Sequence, residues 1–256
     1  NLQSFLAGFK KFSMTMPKEQ RPNIDAITDA IKQKSHIIYF PVDPISIAYE
    51  PSPEATNTTR PIHIIWNHRW EWDKGPEALF KVLYKVAGID TSEPEATTTT
   101  NSSADESSPK LPNFYISVVG ESFGEVPPEF RQAQKLLAPY IKYWGYLESK
   151  EAYFRALKEA DIVVSTAQHE FFGVSVIEAI HCDCYPLCPQ RLVFPEYLPD
   201  QHLYRTDDQL AKKLRYFIKY PEKLRFNIAW KSEIALNLFS WSSFESKVKK
   251  ILTPTM

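Results

Sequence analysis

From Pro61 onward the apolar positions switch between short continuous runs and runs at the helical period. IHIIW (62–66) predicts a strand, PEALFKVLYKVA (76–87) a helix and FYISVVG (114–120) a strand. PPEFRQAQKLLAPY (127–140) predicts another helix, its leading prolines suiting a first turn. KYWGYL, KEAYFRALKEA, DIVVSTA, GVSVIEAIHC and YPLCP continue strand, helix, strand, helix, strand. Strands alternating with helices of about ten residues form parallel βαβ units, so the expected class is α/β, a Rossmann-like doubly wound parallel sheet covered on both faces. DDQLAKKLRYFIKY, PEKLRFNIAW and WSSFESKVKKIL read as helices flanking that sheet.

The first segment has a different pattern: a helix, a Pro-marked loop, a second helix around Asp25 to Lys34, and a strand in HIIYFPV (36–42). A lone strand needs a sheet to join, so residues 1–45 read as the end of another domain. A Pro-rich polar linker follows at 46–60, the main domain at 61–236 and a C-terminal helix at 237–256. One stretch interrupts the main domain. Residues 91–112, TSEPEATTTTNSSADESSPKLP, have almost nothing to place in a core and read as a disordered surface insertion.

Composition narrows the function classes. With 30 basic and 31 acidic residues the net charge is -1, so no global field draws the chain to nucleic acid or to a membrane. No apolar run of about 18 residues and no signal-peptide order occur, so the expected location is cytoplasmic, with the nucleus as a second compartment, and no membrane partner is expected. The first residue is Asn1, and the expectation is that the sequence begins inside a longer polypeptide. Cys182, Cys184 and Cys188 crowd together beside His181, but YPLCP has the character of a buried strand in which cysteine acts as a small hydrophobe. No metal site is expected there.

Candidate chemistry lies just after the strands, where ligands of open parallel sheets bind. Arg69 and Lys74 follow the first strand, Gly120 the second and Gly145 with Tyr146 the third. HEFFGVSVIEA (169–179) follows DIVVSTA. Gly173 opens its helix, so the N–H groups of Gly173, Val174 and Ser175 are expected to point free from the positive end and form an anion site. Glu170 in the loop and Glu178 on the second turn then border one small volume, because helical side chains lean back towards the N-terminus. Two acceptor groups flanking a phosphate cradle suit a ligand with hydroxyls on both sides of its phosphates, the shape of a nucleoside diphosphate sugar. The plainer alternatives are a carboxylate favoured by the helix dipole for Glu170, a solvated face for Glu178 and ordinary surface cations for Arg69 and Lys74. Dinucleotide, P-loop and hydrolase-elbow motifs are all missing, as is any Asp-x-Asp metal clamp. Arg69, Lys74 and the helix end would then stabilise a leaving diphosphate as fixed electrostatics.

Glu170 and Glu178 around Phe172 and Gly173 resemble the Glu-x7-Glu motif of retaining glycosyltransferases of the GT-B fold, and Arg69 with Lys74 resembles that family's phosphate-binding cations. HRWEWDKGPEALFKVL, WGYL, ADIVVSTAQHEFFGVSVIEAIHCDCYPLCP and VFPEYLP resemble, within the family, the branch that mannosylates queuosine in tRNA. The resemblance covers nearly the whole chain outside the 91–112 insertion. It implies a C-terminal donor-binding domain with a remnant of the N-terminal one, and α-retaining transfer of mannose from GDP-mannose to queuosine in the anticodon of tRNA-Asp, with no metal cofactor. By carry-over, Glu170 meets the donor sugar hydroxyls and Glu178 the ribose. The amides of Phe172, Gly173, Val174 and Ser175 hold the phosphates, Arg69 and Lys74 the diphosphate charge, and Gly145 and Tyr146 lie near the guanine. Gly120 belongs to the same cofactor-side set. Two departures stand out: the cations are only five apart, and Asp183 replaces an expected glycine at a left-handed turn that Asp tolerates. Competing expectations are a silent Rossmann-like interaction module, a retaining transferase with another acceptor, and a glycosidase using the two acids.

Overall fold

In the computed structural model, which describes residues 2–42, 59–91, 112–226 and 228–253, the alternating pattern becomes one six-stranded sheet. Its strands are β1 (Ile62–Trp66), β2 (Phe114–Val119), β3 (Ile141–Gly145), β4 (Ile162–Val164), β5 (Tyr185–Pro189) and β6 (Leu203–Tyr204). They lie in the order β3-β2-β1-β4-β5-β6, with every neighbouring pair parallel. All residues of β1, β4 and β5 are buried, which is why these strands read as unbroken apolar runs. Chain order runs outward in both directions from the β1/β4 pair, so the topological switch point falls between those two strands.

Crossovers are made by α3 (Pro76–Ala87), α4 (Glu129–Leu136), α5 (Lys150–Glu159) and α6 (Val174–His181), with α7 (Asp207–Lys219) and α8 (Glu222–Arg225) following β6. Local sequence sets their starts. Pro76 occupies the first turn of α3, Ser149 accepts the Ala152 N–H ahead of α5, and Thr206 accepts the Gln209 N–H ahead of α7. The sheet and these helices form one unit, residues 42–238. A second unit joins residues 1–41 to 239–256 and contains α1 (Leu2–Ser13), α2 (Ile24–Lys34) and α9 (Trp241–Leu252).

Three expectations need correction. HIIYFPV forms no strand: its residues lie in irregular backbone, and Tyr39 sets its ring edge-on to Phe239 at 5.3 Å, with Lys247 over its face. PEKLRFNIAW is not one helix but the single turn α8 followed by a 3-10 turn at 228–233. The two-residue edge strand β6 was not expected, since LY alone carries no period. The linker at 46–60 lies outside the described residues except for 59 and 60, as does the 91–112 insertion except for 91 and 112.

At the amino ends of the central strands a buried carboxylate ties the sheet together. Asp161, 6% exposed, takes Arg60 at 2.6 and 2.9 Å, Arg225 of α8 at 3.1 Å and the His63 N–H of β1 at 2.8 Å. Burial alone would raise its carboxyl, but the Arg225 and Arg60 guanidiniums outweigh that and hold it below the ordinary value. Asp161→Ala leaves two buried guanidiniums uncompensated and is expected to lower stability by about 3–5 kcal/mol in urea unfolding. The buried rings of His63, His68 and His202 are held at about 4, below the usual 6.5, mainly by desolvation. The unfolded chain therefore binds more protons between pH 6.5 and 4, and stability falls as pH drops through that window. A thermal midpoint that stays flat from pH 6.5 to 4 would contradict this.

Candidate active site

The loop leaving β1 is anchored before it presents any charge. Trp70 stacks on Phe130 of α4 at 4.2 Å and meets Trp144 of β3 edge-on at 5.5 Å, while Phe80 of α3 packs on both Phe130 and Trp144. That aromatic cluster fixes the backbone between Arg69 and Lys74. Lys74 closes a 3-10 turn and is buried at 8% exposure. Its Nζ donates to the His169 carbonyl at 3.0 Å and pairs with Asp73 at 3.1 Å and Glu170 at 3.5 Å. Arg69 lies differently: its guanidinium is half exposed and pairs with Glu71 at 3.1 Å.

The loop leaving β4 supplies the other side. Glu170 turns its carboxylate onto its own backbone, so that Oε1 accepts the N–H groups of Phe171, Phe172 and Gly173 at 3.1, 3.3 and 3.0 Å. The Gly173 amide, expected to be free, and the Phe172 amide, expected by resemblance to hold phosphate, are therefore both taken, because the nearest anion to the helix end is the chain's own. Among the described residues the amides of Val174 and Ser175, the first two of α6, have no protein partner. Gly173 caps the helix with φ 74°, and a side chain there would put Cβ 2.8 Å from the Tyr197 hydroxyl and 3.1 Å from Phe194. Glycine is required by both backbone and space.

Glu178, one turn further on, is reached from the side. Tyr153 of α5 donates its hydroxyl to Glu178 Oε2 at 2.8 Å, and Asn67 at the exit of β1 donates Nδ2 to the Tyr153 oxygen and to the Ser175 carbonyl. Tyr153 also lines a cleft of about 320 Å³ with Gly120, Glu121, Tyr146, Ser149 and Lys150. A Cβ on Gly120 would lie 1.9 Å from the His68 carbonyl, so close approach of the β1 and β2 exits demands glycine there. Gly145 ends β3 and accepts the Gly120 N–H on its carbonyl, and the next residue, Tyr146, is exposed.

The two acids sit in opposite environments. Burial would raise Glu170, but the Gly173 amide, Lys74 and the Phe172 amide outweigh it and hold the carboxyl below its ordinary value. Burial raises Glu178 despite the Tyr153 hydroxyl and Lys150. His68, at the exit of β1, stays neutral in its buried position, with Nδ1 3.5 Å from the Ser175 hydroxyl. Among the described residues Asn67 Oδ1, His68 Nε2, Trp70 Nε1 and Asp73 Oδ1 are buried and without a hydrogen-bond partner, four orphaned polar atoms along a single loop.

The tertiary structure thus brings Lys74 to Glu170 and both to the start of α6, places Gly120 and Tyr146 on the cleft floored by Tyr153, and leaves Arg69 with Glu71. Asn67, His68 and Tyr153 were missed from sequence; the NH pair ahead of Arg69 was a usable signal, whereas a tyrosine mid-helix was not. The three thiols lie away from this chemistry. Cys184 donates to the Leu157 carbonyl, Cys188 is inside β5, and burial pushes Cys182 up to about 11. Among the described residues no three His, Cys, Asp or Glu side chains converge as a metal set. Asp183 adopts the left-handed conformation, φ 71°, and pairs with Lys231.

Comparison with known proteins agrees with this architecture. Residues 54–229 match the sequence model of the family described as glycosyl transferases group 1. A Drosophila melanogaster protein described as tRNA-queuosine alpha-mannosyltransferase is 35% identical over 230 residues, covering 88% of this chain and 54% of its own length. The chain therefore spans about half of that relative. Among solved structures, the lipopolysaccharide outer core galactosyltransferase WaaB in its apo form superposes with a TM-score of 0.59 at 12% identity, covering 90% of this chain and 58% of that one. Anabaena HepE in complex with UDP gives 0.56 at 16% identity, covering 76% and 49%. These two show the fold, and the family match extends over most of the sheet-bearing unit. The chain belongs to the glycosyl transferases group 1 family.

Proposed function

We propose that this chain carries the donor-binding half of a retaining mannosyltransferase that uses GDP-mannose and acts on queuosine in the anticodon of tRNA-Asp. The observation that carries the donor site is the buried Lys74 ammonium beside Glu170 at the start of α6, next to the unpartnered amides of Val174 and Ser175. A diphosphate fits there on Lys74 and the two amides, with Arg69 available from the rim. Charge developing on the leaving phosphate is met by groups already oriented, and none of these needs a metal. Glu170 Oε2 takes the sugar hydroxyls, and Glu178, held by Tyr153, takes the ribose. The base extends into the cleft of Gly120, Glu121 and Tyr146. The orphaned atoms of Asn67, His68 and Asp73 gain partners from the same ligand. Mannose, queuosine and tRNA-Asp rest on the similarity to the Drosophila protein.

A glycosidase is the second reading, favoured by one observation: the opposite displacement of Glu170 and Glu178 has the asymmetry of an acid and nucleophile pair. Against it, the Glu170 carboxylate is already engaged by three amides and an ammonium. Release of mannose from an aryl mannoside with no nucleotide sugar present would favour the glycosidase.

Calorimetry with GDP is the direct test of the donor site. Lys74→Ala removes a charged hydrogen-bonding group of about 1.5–3 kcal/mol and is expected to weaken binding by about tenfold or more. A folded chain that takes up no GDP at millimolar concentration defeats the proposal. Glu178→Gln separates stability from binding. Because burial raises the Glu178 carboxyl above its unfolded value, ionising it as pH rises through that interval destabilises the fold. The glutamine variant should therefore melt higher at pH 7 while binding GDP more weakly; a variant weaker in both respects would mean that Glu178 is structural. Gly173→Ala is expected to lose both stability and GDP binding, since the added methyl meets Tyr197 and Phe194.

A further inference from the structure

The outer edge of the sheet carries a second cleft, larger than the one at Tyr153 and unused by the donor. It measures about 620 Å³ and runs along β6 under α7, with Tyr185 and Phe217 in its floor. Arg205, Lys212 and Lys213 line it against a single carboxylate, Asp200. Arg205 holds Gln190 through Nε, and its two terminal nitrogens have no protein partner among the described residues. Lys213 is steadied by the Gln201 carbonyl at 2.7 Å. Lys212 is exposed and has no partner among the described residues. Tyr216, one turn on from Lys212 and 47% exposed, lies 5.2 Å from Tyr220, whose ring carries Lys219 at 5.2 Å.

Positions 212, 216 and 219 share one face of α7 and Tyr220 is its C-cap, so cation, ring, cation and ring follow one another along the helix and its end. The lysines at 212 and 213 are the basic cluster AKKLR, which the donor site leaves without a role. A chain of net charge -1 has no global attraction for polyanions, so this concentration is local. Cations alone would suit an acidic peptide. Exposed tyrosines between them suit a ligand whose charges alternate with flat rings.

We propose that the β6–α7 face docks a single-stranded stretch of RNA, one base stacking on Tyr216 and the flanking phosphates meeting Lys212, Lys213 and Arg205. The proposal rests on the reading that the acceptor is a tRNA. β6 is two strands from β4, about 10 Å at sheet spacing, so one RNA molecule spans this edge and the switch point together.

The test is fluorescence anisotropy of the 256-residue chain with a labelled anticodon stem-loop of tRNA-Asp over a salt series, alongside thermal stabilisation by GDP. Lys212→Ala and Tyr216→Ala should each weaken RNA binding by about tenfold. Lys212→Ala should also lower the slope of log affinity against log salt by about 0.7, the value of one lost phosphate contact, while Tyr216→Ala leaves the slope unchanged. In both variants stabilisation by GDP should match the unsubstituted chain, which shows that they are folded with the donor site intact. Wild-type affinity in either variant, no RNA binding by the unsubstituted chain, or equal competition by poly-glutamate would overturn the proposal. RNA binding with these signatures but no stabilisation by GDP would keep the RNA surface and remove the donor reading; the converse would keep the donor site alone.

Discussion

A single buried ammonium couples the two loops on which the candidate site stands. Lys74 has left water, and it is stable in that position only because Glu170, Asp73 and the His169 carbonyl surround it. The backbone is bound just as closely. The Lys74 carbonyl accepts the Thr166 hydroxyl, Thr166 accepts the Trp66 ring N–H, and the Asp73 carbonyl accepts the Gln168 and His169 amides. The exits of β1 and β4, neighbours at the switch point, are therefore one rigid piece.

That coupling explains why two glutamates eight positions apart behave so differently. Glu170 sits where amide N–H groups and an ammonium converge, so its charge is favoured and its geometry is fixed. Glu178 lies in a less compensated environment, with Tyr153 as its hydrogen-bond donor, and its charge is disfavoured by burial. The first is an anion that organises the loop, and the second is an acceptor kept in place at some expense to stability. Proteins commonly hold such unfavourable groups where a ligand completes them. The orphaned atoms of Asn67, His68 and Asp73 on the adjoining loop are likewise uncompensated among the described residues.

The ends of the strands divide the work. At the amino ends, Asp161 and its two arginines join β1, β4 and α8 through contacts up to 101 residues apart. At the carboxyl ends, aromatic packing of Trp70, Phe130 and Trp144 orients the β1 loop, whose Asn67, His68, Trp70 and Asp73 each keep a buried polar atom without a partner among the described residues.

Much of this was legible in the chain. Continuous apolar runs marked β1, β4 and β5 because strands buried on both faces have no polar side, and in the structure Pro76, Ser149 and Thr206 start their helices by chemistry local to one turn. The position of Glu170, Gly173 and Glu178 at a strand exit was equally plain. HIIYFPV misled because a β-like run becomes a strand only when another strand pairs with it, and β6 escaped notice because two residues show no period. The sequence by itself determined the alternating α/β architecture, the strand exits and the residue types available there. Only the tertiary structure decided that Lys74 neutralises Glu170 across 96 residues, that Tyr153 holds Glu178, and that the Gly173 amide is already occupied. Those pairings depend on strand order and loop packing, which no local periodicity encodes.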